Sequence, residues 1–233
     1  MKLTDRHSIS PYRDRWRFIA EAVRHPGSIG AVAPSSGALA RRLATPLHRH
    51  HAAPLTVLEV GAGIGSVTRE LIPLLTPGSR LDIVESNPRF TDRLRELVAR
   101  CAADQTLDVR VHCMDVERFA DCGRYDVIVS CLPFTNFCPD QVHTVMRQFM
   151  DLLNPDGTLT YFTYRGTLLA RRLLFPSRTR RHNDVAQLMD TYQRRQGLTC
   201  STVWANLPPA RVWQLHHPHL LTQPVHLKSA VSP

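Results

Sequence analysis

Short, continuous apolar runs alternate along the chain with longer segments in which apolar residues recur every three or four positions. A continuous run is typical of a strand buried on both faces of a parallel sheet, and the longer period is typical of an amphipathic helix. The runs lie at residues 56–60, 80–85, 109–113, 125–131 and 158–164, and the helical segments at 66–75, 88–101, 139–153 and 184–194. The pattern predicts an α/β fold built from repeated strand–helix units.

Two further strands are predicted near the end of the chain, at residues 199–204 and 211–215, with only a short proline-containing loop between them. Strands this close along the chain can pair as an antiparallel hairpin. We therefore predict a doubly wound, mostly parallel sheet of seven strands, with the hairpin at one edge of the sheet.

A basic amphipathic helix is predicted ahead of the sheet, over residues 12–24. Its apolar side carries Trp16, Ile19 and Val23, and four arginines occupy much of the remainder. Two interpretations stay open. The apolar side packs on the core of the domain, or the helix lies in a lipid interface with Trp16 and Phe18 among the headgroups.

A second helix is predicted over residues 38–47, directly after Ser35 and Ser36. Serine at this position is typical of a helix N-cap, and contact with a bound ligand is the alternative role for both residues. These features divide the chain into a helical extension at 1–50, a core at 51–216 and a tail at 217–233, which we expect to be disordered because it has no periodicity.

The net charge of the chain indicates what class of partner it binds. The chain has 29 Lys and Arg against 20 Asp and Glu, and its formal net charge is +9. Such a balance favours an anionic partner, either a nucleic acid or an acidic membrane surface. No apolar run reaches the ~18 to 20 residues that span a bilayer, so we expect any membrane contact to be peripheral.

The six cysteines are expected to be free thiols of a cytoplasmic protein, because neither a Cys-x-x-Cys pair nor a secretory leader accompanies them. Histidines cluster at positions 48, 50 and 51 and again at 216, 217 and 219. Because these clusters lack Cys or carboxylate ligands at metal-site spacing, we expect no bound metal.

Three glycines, Gly61, Gly63 and Gly65, follow the first predicted strand at intervals of two residues. Glycine lets the backbone approach a ligand closely, and the free N–H groups of such a turn can meet polar ligand atoms. The turn predicts a nucleotide-like ligand, although a plain strand–helix turn would have the same sequence.

Acidic residues follow the next two strands and strengthen that interpretation. Glu85 ends the second strand, 20 residues beyond Gly65, where a carboxylate can accept both hydroxyl groups of a ribose. Asp115 follows the third strand and either accepts from an adenine amino group or caps a short helix at 116–120.

The fourth predicted strand runs into Leu132-Pro133-Phe134, and proline cannot continue a central strand. The chain must leave the sheet there, where backbone carbonyls can receive an amine. Residues 168–181 then combine apolar side chains with arginines, which suits either a phosphate beside an apolar group or a solvated surface segment.

The order Glu59-x-Gly61-x-Gly63-x-Gly65 differs from the Gly-x-Gly-x-x-Gly that a dinucleotide pyrophosphate requires. It resembles the nucleoside-binding loop of class I S-adenosylmethionine-dependent methyltransferases, a Rossmann-like fold. Within that superfamily the chain resembles the bacterial phospholipid N-methyltransferases, which convert phosphatidylethanolamine stepwise to phosphatidylcholine. The stretches that carry this resemblance are residues 30–36, 130–134, 162–164 and 206–213.

The resemblance implies S-adenosylmethionine as cofactor, an anionic membrane surface and a phospholipid as partners, and a location at the inner face of the membrane. It implies that residues 59–65 hold the methionine part and the ribose, that Glu85 binds the ribose diol, and that Asp115 with Val116 binds the adenine. Ser35, Ser36 and Ser130 are further expected cofactor contacts, in part from a lid formed within residues 1–50.

On the acceptor side, Leu132 and Pro133 are expected to receive the amine, and Tyr164 to pack against the methylated ammonium by cation–π attraction. Tyr161 is the second candidate for that contact. The headgroup phosphate is expected to meet arginines, and the candidates are Arg171, Arg178, Arg180 and Arg181. No side chain stands out as a dedicated base, so alignment of a neutral amine is the main expected contribution of the protein.

Ribosomal RNA adenine N6-dimethyltransferases share the glycine loop and are the main alternative, beside a small-molecule N-methyltransferase and a catalytically silent binding module. Cys131 stands where the RNA enzymes carry an Asn that accepts from the adenine, and Phe134 replaces their Tyr. Nucleic acid is therefore the less favoured acceptor. The silent module is disfavoured because the turn and both acids are present.

Overall fold

The structure is a computed structural model that describes residues 36–49, 53–102, 106–119, 123–164 and 179–217, with the side chains of the last range described from residue 183 onward. The predicted helix at 12–24, Ser35, Arg171, Arg178 and residues 218–233 lie outside the described residues. The roles expected of them therefore stay predictions.

Five helices and seven strands make up the described fold. In chain order they are α1 (Gly37–Ala44), β1 (Thr56–Val60), α2 (Thr68–Leu71), β2 (Arg80–Glu85), α3 (Pro88–Cys101), β3 (Asp108–Cys113), β4 (Tyr125–Ser130), α4 (Pro139–Leu152), β5 (Leu153–Tyr164), α5 (Thr179–Gln196), β6 (Gly197–Val203) and β7 (Ala210–His216). Each predicted strand is present with bounds close to those expected from the apolar runs, except that β5 begins at Leu153, five residues ahead of the predicted start.

All seven strands belong to one sheet with the order β3-β2-β1-β4-β5-β7-β6. Strands β1 to β5 run parallel, and β1 pairs with β2 on one side and β4 on the other. The strand order reverses between β1 and β4, and in sheets of this type ligands bind at the carboxyl ends of the strands beside such a switch point. The predicted α/β fold, with its mostly parallel seven-stranded sheet, is confirmed.

The last two strands form the predicted antiparallel hairpin. Strand β7 lies between β5 and β6 and is antiparallel to both, and Tyr164 at the end of β5 pairs with Ala210 at the start of β7. The connection from β6 to β7 therefore lies at the same edge of the sheet as the carboxyl ends of the parallel strands.

Helices cover both faces of the sheet, which explains the continuous apolar runs of the strands. On one face α1, α2 and α3 pack through Leu39, Leu71 and Leu94. On the other face α4 and α5 pack through Phe149 and Met189.

Two short helices differ from the prediction. The helix expected over 66–75 is the single turn α2 followed by a 3₁₀ turn, Ile72–Leu74, which contains Pro73. Proline has no N–H to donate to a continuing helix, so the regular helix stops ahead of it. The helix expected after Asp115 is likewise only a 3₁₀ turn, Val116–Arg118.

Candidate active site

The three glycines between β1 and α2 all adopt positive φ angles, +73° at Gly61, +56° at Gly63 and +82° at Gly65. A Cβ at Gly61 would stand 3.0 Å from Leu132 Cδ2, and a Cβ at Gly65 would collide with Leu97. A Cβ at Gly63 would meet nothing within 4 Å. Two of the glycines are therefore required by packing, whereas Gly63 faces open space at the end of the sheet.

Glu85 fixes the middle of this glycine turn. Its Oε2 accepts from the Gly63 N–H at 2.9 Å, and its Oε1 accepts from the Asn87 N–H at 2.8 Å. Burial raises the pKa of Glu85, and the backbone N–H donors at Asn87, Gly63 and Ser86 oppose that rise because they stabilise the carboxylate. Glu85, the residue predicted to bind the ribose, therefore also holds the glycine turn in position.

Glu59, on β1, is fully buried. Its Oε2 accepts from the Thr68 hydroxyl at 2.7 Å, and its Oε1 has no hydrogen-bond partner among the described residues. Burial raises the pKa of Glu59 to about 7; the bonds from Thr68 oppose the rise and the nearby Glu85 carboxylate adds to it. A buried acceptor left without a donor is costly, so this oxygen suits a cationic ligand group.

Asp115 lies two residues beyond the end of β3, the strand that pairs with β2. Cys113 pairs with Glu85 across β2 and β3, and the Met114 N–H donates to the Glu85 carbonyl at 3.2 Å. Asp115 occupies the N-cap position of the 3₁₀ turn that follows, but its side chain makes no capping hydrogen bond among the described residues. Burial raises the pKa of Asp115, and Val116 beside it is buried in the core.

The end of β4 lies beside the glycine turn. The Cys131 N–H donates to the Val60 carbonyl at 2.8 Å, and the Ser130 hydroxyl, which is buried, accepts weakly from the Leu132 N–H at 3.4 Å. The Leu132 carbonyl accepts from Phe134 at 3.0 Å and the Pro133 carbonyl from Asn136 at 2.8 Å. An amine at these carbonyls would use their second lone pairs.

The two candidate tyrosines lie on opposite faces of β5. Tyr161 is fully buried, its ring packs edge-on against Phe134 with centroids 5.8 Å apart, and its hydroxyl accepts from Gln193 at 2.9 Å. Tyr164 is half-buried and packs edge-on against Phe162. Tyr161 has the surroundings of a core residue, so Tyr164 is the better placed of the two for a ligand.

Cys131 lies close to the acids and to Tyr164. Burial raises its pKa well above the usual value, and the Glu59 and Glu85 carboxylates raise it further. Burial also raises the pKa of Tyr164, with a further contribution from Cys131. Both groups therefore stay neutral at physiological pH, and this part of the cleft holds no anionic thiolate or phenolate.

Ser36 caps α1, which was one of its two expected roles. Its Oγ accepts from the Leu39 N–H at 3.2 Å, and its own N–H donates to Asn206 Oδ1 at 3.0 Å. Cofactor contacts by Ser35 and Ser36 stay predictions. Arg180 and Arg181 fall within the backbone of α5, and their roles, like those of Arg171 and Arg178, also stay predictions.

The sequence did not indicate that Thr68 and Asn206 would hydrogen-bond to residues of the candidate site. Thr68 binds Glu59, and Asn206 joins the β6–β7 connection to the start of α1. The spacing of Thr68, three residues after Gly65, could have indicated a hydroxyl facing back toward β1. The Ser36–Asn206 contact joins positions 170 apart and had no local signal.

Within the described parts of the chain, His, Cys, Asp and Glu side chains form no group of three or more that could hold a metal ion. A search of the same residues finds no helix with the length and apolar character needed to cross a membrane.

Comparison with known proteins adds a family to this geometry. Residues 58–159 match the family described as "Methyltransferase domain". The chain is 27% identical over 152 residues to an ornithine lipid N-methyltransferase from Singulisphaera acidiphila, a match that covers 65% of this chain and 78% of that protein. It is 31% identical over 113 residues to a malonyl-[acyl-carrier protein] O-methyltransferase from Bacillus cereus, covering 48% of this chain and 38% of that protein.

Solved structures share the fold. A magnesium protoporphyrin IX methyltransferase from Synechocystis, determined with bound SAH, is 14% identical with a TM-score of 0.58, over 89% of this chain and 94% of that one. An S-adenosylmethionine-dependent methyltransferase from Clostridium acetobutylicum is 11% identical with a TM-score of 0.59, over 86% of this chain and 98% of that one.

The cleft fits a cofactor that carries a ribose, an ammonium group and no phosphate. The space beyond Gly63 is open, and the Glu59 Oε1 lacks a donor among the described residues. Glu85 ends β2, and Asp115 follows the end of the neighbouring strand β3. Residues 58–159 thus match a methyltransferase domain, the solved methyltransferases share the fold, and the residues of this cleft fit S-adenosylmethionine as the cofactor.

Proposed function

We propose that the protein methylates the amine of a membrane lipid headgroup, with phosphatidylethanolamine and its methylated derivatives as substrates, at the inner surface of the membrane. The observation that carries the lipid class is the match to an ornithine lipid N-methyltransferase over 78% of that protein. The resemblance to phospholipid N-methyltransferases at residues 130–134 and 206–213 supports phosphatidylethanolamine.

The cofactor side of the reaction rests on residues of the glycine turn and the neighbouring strand ends. Glu85 would accept from the ribose hydroxyls while it holds the turn, Glu59 would face the ammonium group, and Asp115 would accept from the adenine amino group. Bound S-adenosylmethionine supplies a methyl group made electrophilic by the sulfonium charge. The contribution of the chain is then to fix the acceptor in line and to exclude water.

The acceptor side is lined by groups that suit an amine in its neutral form. The Leu132 and Pro133 carbonyls offer second lone pairs, and the neutral Cys131 thiol adds no charge that would hold a proton on the amine. The half-buried ring of Tyr164 offers a π face to an ammonium that becomes permanently cationic as methyl groups accumulate. The raised pKa of its hydroxyl keeps that ring neutral.

A second candidate acceptor is the amine of an ornithine lipid, which the relative from Singulisphaera acidiphila favours directly. Both candidates place an amine at the surface of a bilayer, and both use the same cleft. RNA adenine and small soluble amines are the alternatives outside the lipid class.

The test is methyl transfer from labelled S-adenosylmethionine by the purified full-length protein. Separate reactions contain vesicles with phosphatidylethanolamine, vesicles with ornithine lipid, ribosomal RNA, and a mixture of small amines. Label in the phosphatidylethanolamine fraction, as mono-, di- or trimethylated headgroup, is the expected result. Label in ornithine lipid alone would select the second candidate, and label confined to RNA or small amines would refute the lipid proposal.

A matched pair of variants checks that the label arises in this cleft. Glu85→Ala removes the expected ribose ligand and should abolish most of the transfer, whereas Glu96→Ala removes an exposed acid of α3 and should leave it unchanged. Equal transfer by both variants would show that the measured activity comes from another site or a contaminant.

A further inference from the structure

The connection between β6 and β7, residues 204–209, exposes two large apolar side chains at its tip. Trp204 is 69% exposed and Leu207 is 85% exposed, the two highest values among the large apolar residues that the structure describes. Exposed large apolar side chains that lie close together along the chain are a feature of interaction surfaces. Here they are separated by only two residues, of which Asn206 is buried.

This β6–β7 turn is fixed beside the cleft. Ala210 pairs with Tyr164 at the carboxyl end of β5, so the turn projects from the edge of the sheet where the glycine turn and Tyr164 lie. The Asn206 side chain accepts from the Ser36 N–H at 3.0 Å and donates to the Pro208 carbonyl at 2.8 Å. The exposed tip is thus held by a buried amide rather than left as a free loop.

Arginines lie on the elements that flank the turn. Residues 36–49 and 197–217, which meet through the Ser36–Asn206 contact, contain four arginines and neither Asp nor Glu. Arg42 is exposed on α1 and donates to Ser201 on β6 at 2.6 Å, and Arg211 is exposed on β7. Arg41 lies 3.6 Å from Glu70, which is the acid that approaches this surface from α2.

We propose that the β6–β7 turn inserts Trp204 and Leu207 into an anionic phospholipid surface while the surrounding arginines contact lipid phosphates. Tryptophan and leucine flanked by arginine suit the boundary between headgroups and acyl chains. Insertion at this point would bring the acceptor side of the cleft against the bilayer. The proposal rests on the proposed function, because a lipid acceptor is what requires the cleft to meet a membrane.

The test compares vesicle binding by two variants of the full-length protein. Trp204→Ser with Leu207→Ser removes the exposed apolar tip. Leu198→Ser removes a 41% exposed leucine from the far end of the same hairpin and is the matched control. Partitioning onto vesicles that contain phosphatidylglycerol should fall at least about tenfold in the double variant and stay unchanged in the control. Cofactor binding, measured by calorimetry, should be the same in all three proteins.

Depth is measured with a single-tryptophan protein, Trp16→Phe with Trp213→Phe, in which Trp204 is the remaining tryptophan. Its emission should shift to shorter wavelength on vesicles and should be quenched by lipids brominated on the upper acyl chain. No quenching, or equal vesicle binding by the double variant and the Leu198→Ser control, would overturn the proposal. So would a double variant that keeps vesicle binding but loses binding to RNA or to another protein.

The proposed function can fail separately. If no lipid is methylated, the activity proposal fails, while quenching of Trp204 still decides whether the turn enters the bilayer. Methylation of detergent-dispersed lipid by both the wild-type protein and the double variant would support the activity proposal. If these two proteins also bind vesicles equally, the turn proposal fails while the activity proposal stands.

Discussion

At the scale of single residues, the acids of the cleft differ in the number of hydrogen-bond donors that stabilise their carboxylates. Glu85 accepts from backbone N–H groups of the glycine turn and of the residues that follow it, among them Gly63 and Asn87. Glu59 is fully buried, accepts from Thr68 and keeps one oxygen without a hydrogen-bond partner among the described residues. Burial outweighs hydrogen bonding at Glu59 because the neutral donors of one residue, Thr68, cannot replace the hydration of a carboxylate. The ligand-free protein therefore carries an acid that protonates near neutral pH.

The Glu59→Gln variant should change the pH dependence of stability. The pKa of Glu59 is about 7 in the fold against 4.5 as its ordinary value, so the folded state holds the proton more tightly than the unfolded chain. Its contribution to stability is complete below the lower value and is lost as pH rises through the higher one. Between pH 5 and 8 the wild-type protein should lose roughly 2 to 3 kcal/mol from this group, and the Gln variant should not.

Urea denaturation of both proteins without cofactor, at pH 5 and at pH 8, measures that difference. Comparison of the two proteins cancels the other titrating groups. Glutamine can still accept from Thr68, so a variant that is less stable than the wild type at pH 8 would contradict the assigned environment of Glu59.

Glu85→Ala should weaken cofactor binding by about 2 to 4 kcal/mol, because two hydrogen bonds from the ribose to a charged acceptor are lost. Calorimetric titration with S-adenosylmethionine measures the change, and Glu96→Ala on the exposed side of α3 is the control. Because Glu85 also accepts from Gly63 and Asn87, the variant should be less stable as well. An unaltered affinity would exclude Glu85 as a ribose ligand.

Tyr164→Phe should keep most of the methyl transfer, whereas Tyr164→Leu should reduce it about five- to thirtyfold, since a cation–π contact is worth about 1 to 2 kcal/mol. Steady-state rates with the lipid substrate measure both. Tyr161→Phe is the comparison on the other face of β5 and should lower stability through the lost Gln193 bond without a selective loss of activity. Equal rates for the Leu and Phe variants at Tyr164 would mean that its ring does not meet the ammonium.

At the scale of elements, the glycine turn joins β1 to α2 through three residues with positive φ, and each glycine meets a different environment. Gly65 abuts α3, Gly61 abuts Leu132, and Gly63 borders the open cleft. Within these five residues, Gly61 and Gly65 are needed for packing of the fold, whereas Gly63 leaves space for a ligand.

Alanine at Gly63 and at Gly65 should consequently have different effects. Gly63→Ala destabilises the fold by about 1 to 2 kcal/mol through its backbone conformation and has no clash in the free protein, but its methyl group enters the cofactor space. Gly65→Ala has the same conformational cost and also displaces Leu97 and Leu94. Thermal denaturation should show that Gly65→Ala loses more stability than Gly63→Ala. Calorimetry should show that, relative to its loss of stability, Gly63→Ala loses more cofactor affinity. The reverse order would contradict the geometry of the turn.

At the scale of the whole molecule, the charge of the chain is strongly positive. The net charge is +9, and the surface that joins α1 to the terminal hairpin carries arginine without acid. Charge of one sign over a surface attracts anionic bilayers through a field that salt screens.

Vesicle binding should accordingly depend on salt and on the predicted helix at residues 12–24. Raising salt from about 0.1 M to about 1 M shortens the Debye length from about 10 Å to about 3 Å, and partitioning onto anionic vesicles should fall at least about tenfold. Deletion of residues 1–24 should weaken binding further at low salt. Co-sedimentation measures both, and neutral phosphatidylcholine vesicles are the control. Binding that is indifferent to salt and to the deletion would exclude an electrostatic contribution from either.

The strands, the hairpin at one edge of the sheet and the positions of Glu85 and Asp115 at the ends of neighbouring strands could be predicted from the sequence, because strands buried on two faces leave continuous apolar runs. The cofactor contacts expected of the two acids stay predictions. The length of α2 could not, since Pro73 competes with an otherwise helical pattern. Nor could the Ser36–Asn206 contact, because it depends on β7 being inserted beside β5. Side-chain partners at long separation follow from the assembled sheet and leave no periodic signal along the chain.

The antiparallel course of β7 also determines where the described chain leaves the sheet. His216 pairs with Thr158, and the His217 N–H donates to the Gly157 carbonyl at 3.3 Å, at the edge from which the parallel strands start. A tether joined to the chain at His217 would hold the protein on a sensor surface with the glycine turn and Trp204 directed away from the support. Vesicles flowed over such a surface would meet the cofactor edge first, so binding could be measured in one fixed orientation.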